Sequence, residues 1–433
     1  MSQMSHTKSI VVLAGAALGF SGVATAQSNT AWSSANADEV RAIVAEMMSD
    51  AETRSSLLQS GATAGHDGKF FLASPDGNFR LNVSGQVQFR HYMNFSDGPS
   101  VGFNGATHDS FEAGFQTRRT KLQFEGHIFD PNLFYRVLGA YNRNGGNFQL
   151  EDAFVGYRFG NGWHAKWGQF KLPFLREESN SSTMMLAVDR SLTNNYFTQG
   201  RSQAIEVGYT EEMWKAMFAF SDGFRSSNSE FDTNPADFGF TGRFEFLVDG
   251  DWGQFRDYTS PRGSNFGLLL GAAAHYEQGA DRFMQIPTSH YDFFGWTVDA
   301  TLQGDGWNLF AAYIGSYNDV HTGGNFTDHG FVVQGGAYLT DDFELFGRYD
   351  ILIPDDNTFN DNINSITAGF NYYLHGHAAK FTMDVVWVLD ETVAVDPITG
   401  ASSAIFGNQR GLGLLGSSEE NEVVVRTQFQ LLF

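Results

Sequence analysis

The stretch NEVVVRTQFQLLF, residues 421–433, sets Val423, Val425, Thr427, Phe429, Leu431 and Phe433 against Glu422, Arg426, Gln428 and Gln430. Successive side chains of a strand point to opposite faces, so this strand is apolar on one face, polar on the other, and stops on an aromatic ring. A strand of a membrane barrel turns its apolar face to lipid and keeps its polar face on a water-filled lumen. The stretch therefore predicts a transmembrane β-barrel.

Working back along the chain, sixteen period-2 segments can be counted, from 79–93 to 421–433. In 379–391, Phe381, Met383, Val385, Trp387 and Leu389 oppose Thr382, Asp384 and Asp390; in 306–318, Trp307, Leu309, Ala311, Tyr313 and Tyr317 share a face. Connections after the even segments are mostly tight (Asp130-Pro131, Asn161-Gly162, Glu211-Glu212, Asp341-Asp342) and those after the odd ones mostly long. That asymmetry is the one outer-membrane barrels show, short turns being periplasmic. Two connections break it: 143–146 is short and 249–264 is long, and a misread strand at either would leave 14 or 18. The composition, with 42 Phe, 15 Tyr, 8 Trp and only 9 Pro, suits strands with aromatic girdles. No window past the amino terminus reaches the roughly 18 apolar residues of a spanning helix. A soluble β-sandwich or solenoid is the alternative, but soluble barrels pack their apolar face inward.

At the amino end, Lys8, the apolar run Ile10–Phe20 and Ala24-Thr25-Ala26 predict a signal peptide over 1–26, cleaved before Gln27. Residues 27–78 read as a helical segment and linker: Val40, Ile43, Val44, Met47, Met48, Ala51, Leu57 and Leu58 recur at a 3-4 spacing over Asp38–Leu58, followed by a Gly-rich join. The helix either pairs with copies of itself or lies against the barrel. The fold expected is all-β, a 16-stranded antiparallel transmembrane β-barrel over 79–433 with a short N-terminal periplasmic α-helix.

The formal net charge is −22, which argues against a nucleic-acid partner. Its distribution is uneven: −3 over residues 1–79, +3 over 80–201 and −22 over 202–433. There is no cysteine, hence no disulfide framework or thiolate metal site. No nucleophile elbow, Walker loop or HExxH appears, so neither an enzyme nor a cofactor is expected, although a rim Ser-His or Asp-His pair would leave no signature. His375 and His377 flank a turn glycine, where two solvated imidazoles are the simpler reading than a metal site.

The segment Gly168-Gln169-Phe170-Lys171-Leu172-Pro173-Phe174, with Glu177-Glu178, Ser181-Ser182 and Asp189-Arg190-Ser191-Leu192, resembles the GQFK-x-PF…EE…SS…ERS signature of the phosphate-selective porins O and P. Phe115–Phe124, containing Arg118-Arg119 and Lys121-Leu122, is similar to that family's FRRAR strand, Glu151–Tyr157 to its KDAYVGY strand, and Asp76–Leu81 to the lead into its first strand. The matching motifs lie between about residues 66 and 200. The resemblance implies a 16-stranded, homotrimeric outer-membrane channel, often with a periplasmic helix, passing phosphate or other small hydrophilic anions, its partners being outer-membrane lipid and solute. One departure bears on selectivity: where the family has G-R-L-Q, this chain has Gly85-Gln86-Val87-Gln88, an amide in place of a lumenal Arg.

Keeping each apolar face toward lipid points Arg90, Arg119, Lys121, Arg136, Arg158 and Lys166 into the lumen from the first five strands. Residues 172–200, the connection that in trimeric porins folds inward, would bring Lys171, Arg176 and Arg190, together with Glu177, Glu178 and Arg201, to a constriction. Such side chains decide selectivity in a pore. They form either a cationic track for anions or ordinary lumen polarity balanced by Glu125, Glu151 and Asp152. Acidic loops at Asp232, Asp237, Asp249, Asp251 and Asp257 oppose an anion preference, so a weakly selective or cation-preferring general porin is the rival, and a structural outer-membrane anchor the alternative from another class.

Overall fold

The structure, a computed structural model, describes residues 41–46, 63–97, 100–101, 107–143, 145–233, 236–280, 290–320, 324–356, 361–395, 402–405, 409–417 and 420–433. Residues 1–60 and 61–433 are separate compact units. In the first, residues 41–46 are helical, within the predicted 38–58 helix. The signal-peptide stretch 1–26 and the rest of that helix lie outside the described residues.

The second unit is a closed barrel of sixteen strands. In chain order they are β1 (Arg80–Phe95), β2 (Phe111–Ile128), β3 (Asp130–Tyr141), β4 (Phe148–Gly160), β5 (Trp163–Phe170), β6 (Ser202–Thr210), β7 (Trp214–Ser221) and β8 (Phe238–Asp249). The circuit continues through β9 (Gly267–Ala280), β10 (His290–Gly304), β11 (Trp307–Val320), β12 (Gly324–Tyr338), β13 (Phe343–Ile353), β14 (Ile363–His375), β15 (Ala379–Val388) and β16 (Glu422–Leu432). Each pairs antiparallel with the next, and β16 returns to β1, so every segment read from the periodicity is a barrel strand. The 61–78 join is more than a linker: Thr63–His66 and Phe70–Ala73 form a hairpin whose second strand pairs with Arg80–Val83. Four residues per strand is too short a run for periodicity to expose.

Closure is made at Phe433, whose amide donates to the Gly85 carbonyl at 3.1 Å while Gly85 donates back at 2.7 Å. A Cβ at Gly85 would stand 2.5 Å from the Phe433 ring, so only glycine admits the aromatic there. Around the barrel the alternation is that of a membrane protein: Val298 is 51% exposed between Thr297 at 2% and Asp299 at 6%. Phe89, Trp167, Phe244, Phe331, Trp387 and Phe429 lie on the same outward face. With lipid outside, that exposure costs nothing, and the buried polar face must be satisfied from within the barrel.

Three connections supply that satisfaction. The 171–201 segment, with short helices α1 (Arg176–Ser179) and α2 (Leu192–Phe197), crosses the lumen to the far wall. There the Asp384 carboxylate accepts from the Val188 amide at 2.9 Å, Asp350 accepts from Leu192 and Thr193, and Lys380 Nζ donates to the Met185 carbonyl at 2.7 Å. From between β15 and β16, the Gly411 and Gly413 carbonyls reach Arg90 and Asn94 on β1, with Leu412 and Leu414 buried. The third is 250–266, after β8. Of the two irregular connections, the short one at 143–146 is closed by the Asn142 amide donating to the Asn147 carbonyl at 2.7 Å. The other is long because it folds inward, carrying Phe255 and Tyr258 at 3% and 2% exposure.

The lumen is thus divided. Along β9–β16 the inward side chains are sealed under these connections, among them Asp299, Glu344, Asp350, Asp384 and Arg426, all at or below 6% exposure. Open space remains against β1–β9.

Candidate functional site

That space is a cavity of about 610 Å³, and its lining is markedly cationic: twelve Arg or Lys against five Asp or Glu. Seven of the nine residues predicted from the strand faces and the inward loop are in it: Arg119, Lys121, Arg136, Lys166, Lys171, Arg176 and Arg190. Arg90 is not. It is fully buried, donating to Asp189 at 2.7 Å, to Gln428 Oε1 at 2.6 Å and to the Val188 and Gly411 carbonyls, so the inward face holds it but the inserted connections cover it. Arg158 is also outside the cavity lining. It sits exposed near the β2–β3 turn, its guanidinium 4.4 Å from the Phe134 ring centre and donating to the Pro131 carbonyl.

Strict alternation misses Arg118, which lines the cavity beside Arg119. Gln88 faces Arg119 and Phe89 faces Thr117, so Arg118 is the extra residue of a β-bulge that turns two successive side chains to one side. The same device recurs on β4: Leu138 faces Asp152 and Gly139 faces Leu150, bringing Glu151 and Asp152 in together. The remaining lining cations that the strand faces did not yield are Lys215, Arg243 and Arg256. Lys215 and Arg243 sit in the acidic half of the chain, where net charge drew no attention to them, and Arg256 sits on the irregular connection.

At the extracellular side of the cavity Asp189 of the inserted segment is gripped by Arg90 at 2.7 Å, Arg119 at 3.0 Å and Arg118 at 3.4 Å. Burial pushes its carboxyl pKa up, but Arg119, Arg90 and Arg118 outweigh burial and hold it well below the usual range. Below this clasp the cations come in pairs with carboxylates: Lys121 with Glu151 at 2.5 Å, Arg201 with Glu151 and Asp152, Arg136 with Glu125 at 2.9 Å, and Lys166 with Glu206 at 3.1 Å. On the inserted segment Glu178 bridges Lys171 at 2.9 Å and Arg190 at 3.2 Å. Burial, with Arg190 and Arg201 nearby, pushes Lys171 down to about 7, against the pull of Glu178. Arg176 meets Glu245 at 3.0 Å, and Arg243 lies between Glu245 and Asp299 at 2.9 Å each. Pairing to Glu125, Glu151 and Asp152 is therefore real, yet it leaves cationic charge in excess.

Part of the acidic excess of residues 202–433 lies inside the protein. Asp299, Asp350 and Asp384 hold Arg243, the α2 amides and Arg426 inside protein. Asp251 caps the Gly253 and Gln254 amides, and Asp257 pairs with His377 at 2.7 Å. Among the described residues no cluster of three or more His, Asp or Glu has metal-binding geometry.

Residues 93–255 match the family model described as phosphate-selective porin O and P. No curated protein matches the chain significantly in sequence. Solved structures of like fold include an anion-selective porin from Comamonas acidovorans, at 12% identity and TM-score 0.55 over 82% of this chain and 98% of that one. The outer-membrane channel DcaP of Acinetobacter baumannii is similar at 15% identity and TM-score 0.53 over 81% and 97%. OmpT of Vibrio cholerae, in a trimer form, is similar at 11% identity and TM-score 0.50 over 81% and 99%.

Proposed function

We propose, from the premise that this chain is an outer-membrane porin related over residues 93–255 to the phosphate-selective porins O and P, that it conducts small hydrophilic anions, phosphate among them, passively and without a chemical step. The observation that carries this is the lining of the cavity against β1–β9, twelve cations against five carboxylates. Fixed charges on a narrow water-filled path act within the roughly 8 Å over which salt screens them, so the wall governs permeation while distant acidic loops do not. The rival, a weakly selective general porin, draws on the carboxylate partner found for most of those cations. An anchor with an incidental pore has no need of a continuous cationic lining. Assembly as a homotrimer is part of the same proposal, supported by the family resemblance and by the likeness in fold to an outer-membrane protein of trimer form.

The test is a reversal potential across a tenfold KCl gradient in planar bilayers. An anion-selective sign is expected, reduced in an Arg136→Ala, Lys166→Ala variant; a cation-selective sign overturns the proposal, and negligible conductance favours the anchor. Unheated gel mobility against a chemically crosslinked sample reads the trimer.

A further inference from the structure

On the short-turn side of the barrel, successive strands are joined by one to four residues except between β8 and β9, where 250–266 intervene. This segment is pinned along its length. Trp252 Nε1 donates to the Glu211 and Glu212 carbonyls at 3.1 Å each, tying it to the β6–β7 turn. Phe255 is buried between Leu247 and Leu269, and its carbonyl accepts from Arg176 of the inserted 171–201 segment. Further on, the Asp257 carbonyl accepts from Gln303 at 2.7 Å, Asp257 and Thr259 meet His377, and Ser260 Oγ donates to the Gly304 carbonyl at 2.6 Å. The two inward segments thus meet inside the barrel, and the side chains of Trp252 and Arg256 are set at the periplasmic end of the passage.

Lys215, the second residue of β7, lies against this segment with Nζ 3.7 Å from the centre of the Trp252 ring. Lys215, Trp252 and Arg256 all line the cavity. The other ten cations of the lining each stand within 4 Å of a carboxylate. Among the described residues, the side chains of Lys215 and Arg256 have no carboxylate within 4 Å and no hydrogen bond; Glu245, which faces Lys215 across the β7–β8 ladder, is already held by Arg176 and Arg243. A cation whose charge is matched by a neighbour attracts a passing solute weakly; an unmatched one offers both its charge and its N–H groups. The indole face holds the ammonium in place without neutralising it.

We propose that Lys215 and Arg256, positioned by Trp252, form a second anion-recognition station at the periplasmic exit, binding small oxyanions of the carboxylate or phosphate type. It rests on the reading of the passage as an anion path and adds where an anion dwells before release. The test is block of single-channel chloride current by inorganic phosphate, and separately by acetate, added to one side of an oriented bilayer. In a Lys215→Gln, Arg256→Gln variant the half-blocking phosphate concentration from the periplasmic side is expected to rise about tenfold, as loss of two near-contact charges implies. Block from the other side should change less than about twofold, since the station lies at the opposite end of the passage and salt screens its charge. A parallel shift with acetate identifies an oxyanion station in general, and a shift with phosphate alone a phosphate station. The charge-retaining Lys215→Arg, Arg256→Lys variant should restore the block, which separates lost charge from lost folding. Absence of periplasmic block in the natural protein, or a block that ignores the neutral variant or weakens equally from both sides, overturns the station. A cation-selective natural channel sinks instead the anion-porin reading beneath it.

Discussion

Asp189 shows how one residue joins the inserted segment to the wall it crosses. Arg90, Arg118 and Arg119 converge on it, and removing the shared anion would leave three buried guanidinium groups facing one another. Breaking a buried ion pair from one side costs roughly 3 kcal/mol or more, so Asp189→Ala should loosen the segment. Single-channel conductance and current noise are then expected to rise, and an unchanged trace would show that the clasp does not hold the constriction. Lys171 carries a different prediction. Its ammonium is held down to about 7 chiefly by burial, with Arg190 and Arg201 adding to it. A lysine whose pKa is depressed keeps its charge only below that pKa, so anion selectivity should fall as pH rises from 6 to 8.5. In Lys171→Met that part of the pH dependence disappears; equal profiles for the two proteins would refute it. Legibility at this scale follows the bulges: Arg119 and Lys121 obey simple alternation, whereas Arg118 depends on an extra residue in the β1–β2 ladder. Arg90 was given its correct face, but its burial depends on segments roughly 100 and 320 residues away.

Among elements, the sixteen strands were legible because period-2 alternation is a local property, readable within a dozen residues. The irregular length of the β8–β9 connection is legible too, but its destination is not, since Asp257 and Tyr258 reach the β14–β15 turn, β11 and the inserted segment, and the Phe255 carbonyl meets Arg176. Two separate effects of that connection can be told apart. Its Arg256 belongs to the exit station; its bulk, with Tyr258 against Met185, Leu186, Ala187 and Phe310, closes the acidic half of the lumen. Replacing residues 251–265 with a tight Asn-Gly turn should therefore raise conductance and shift the reversal potential toward cations, since buried Glu344 and its surroundings become wetted. An enlarged conductance with unchanged selectivity would mean that the sealed half contributes no field to the path.

For the whole molecule, a chain of net charge −22 presents a cationic passage because the two signs are sorted by radius and sector, with carboxylates of the far wall consumed as acceptors. Summed charge could not reveal this, since only the folded arrangement says which charges meet water. Selectivity should accordingly weaken without reversing as KCl is raised toward 1 M, where the screening length shrinks to about 3 Å; a reversal of sign would mean that the exterior charge had set the low-salt value. The attachment of the 171–201 segment has a further bearing on motion. The amides of Val188, Leu192 and Thr193 donate to carboxylates of strands β13 and β15, and that of Ser191 to Glu177. Backbone groups engaged in this way open only when their surroundings do, so their deuterium uptake should be as slow as that of the strands they touch. A crossing that exchanges on the timescale of the barrel is a beam and not a flap, and any closing of this channel under voltage has to be carried by some other part of the protein.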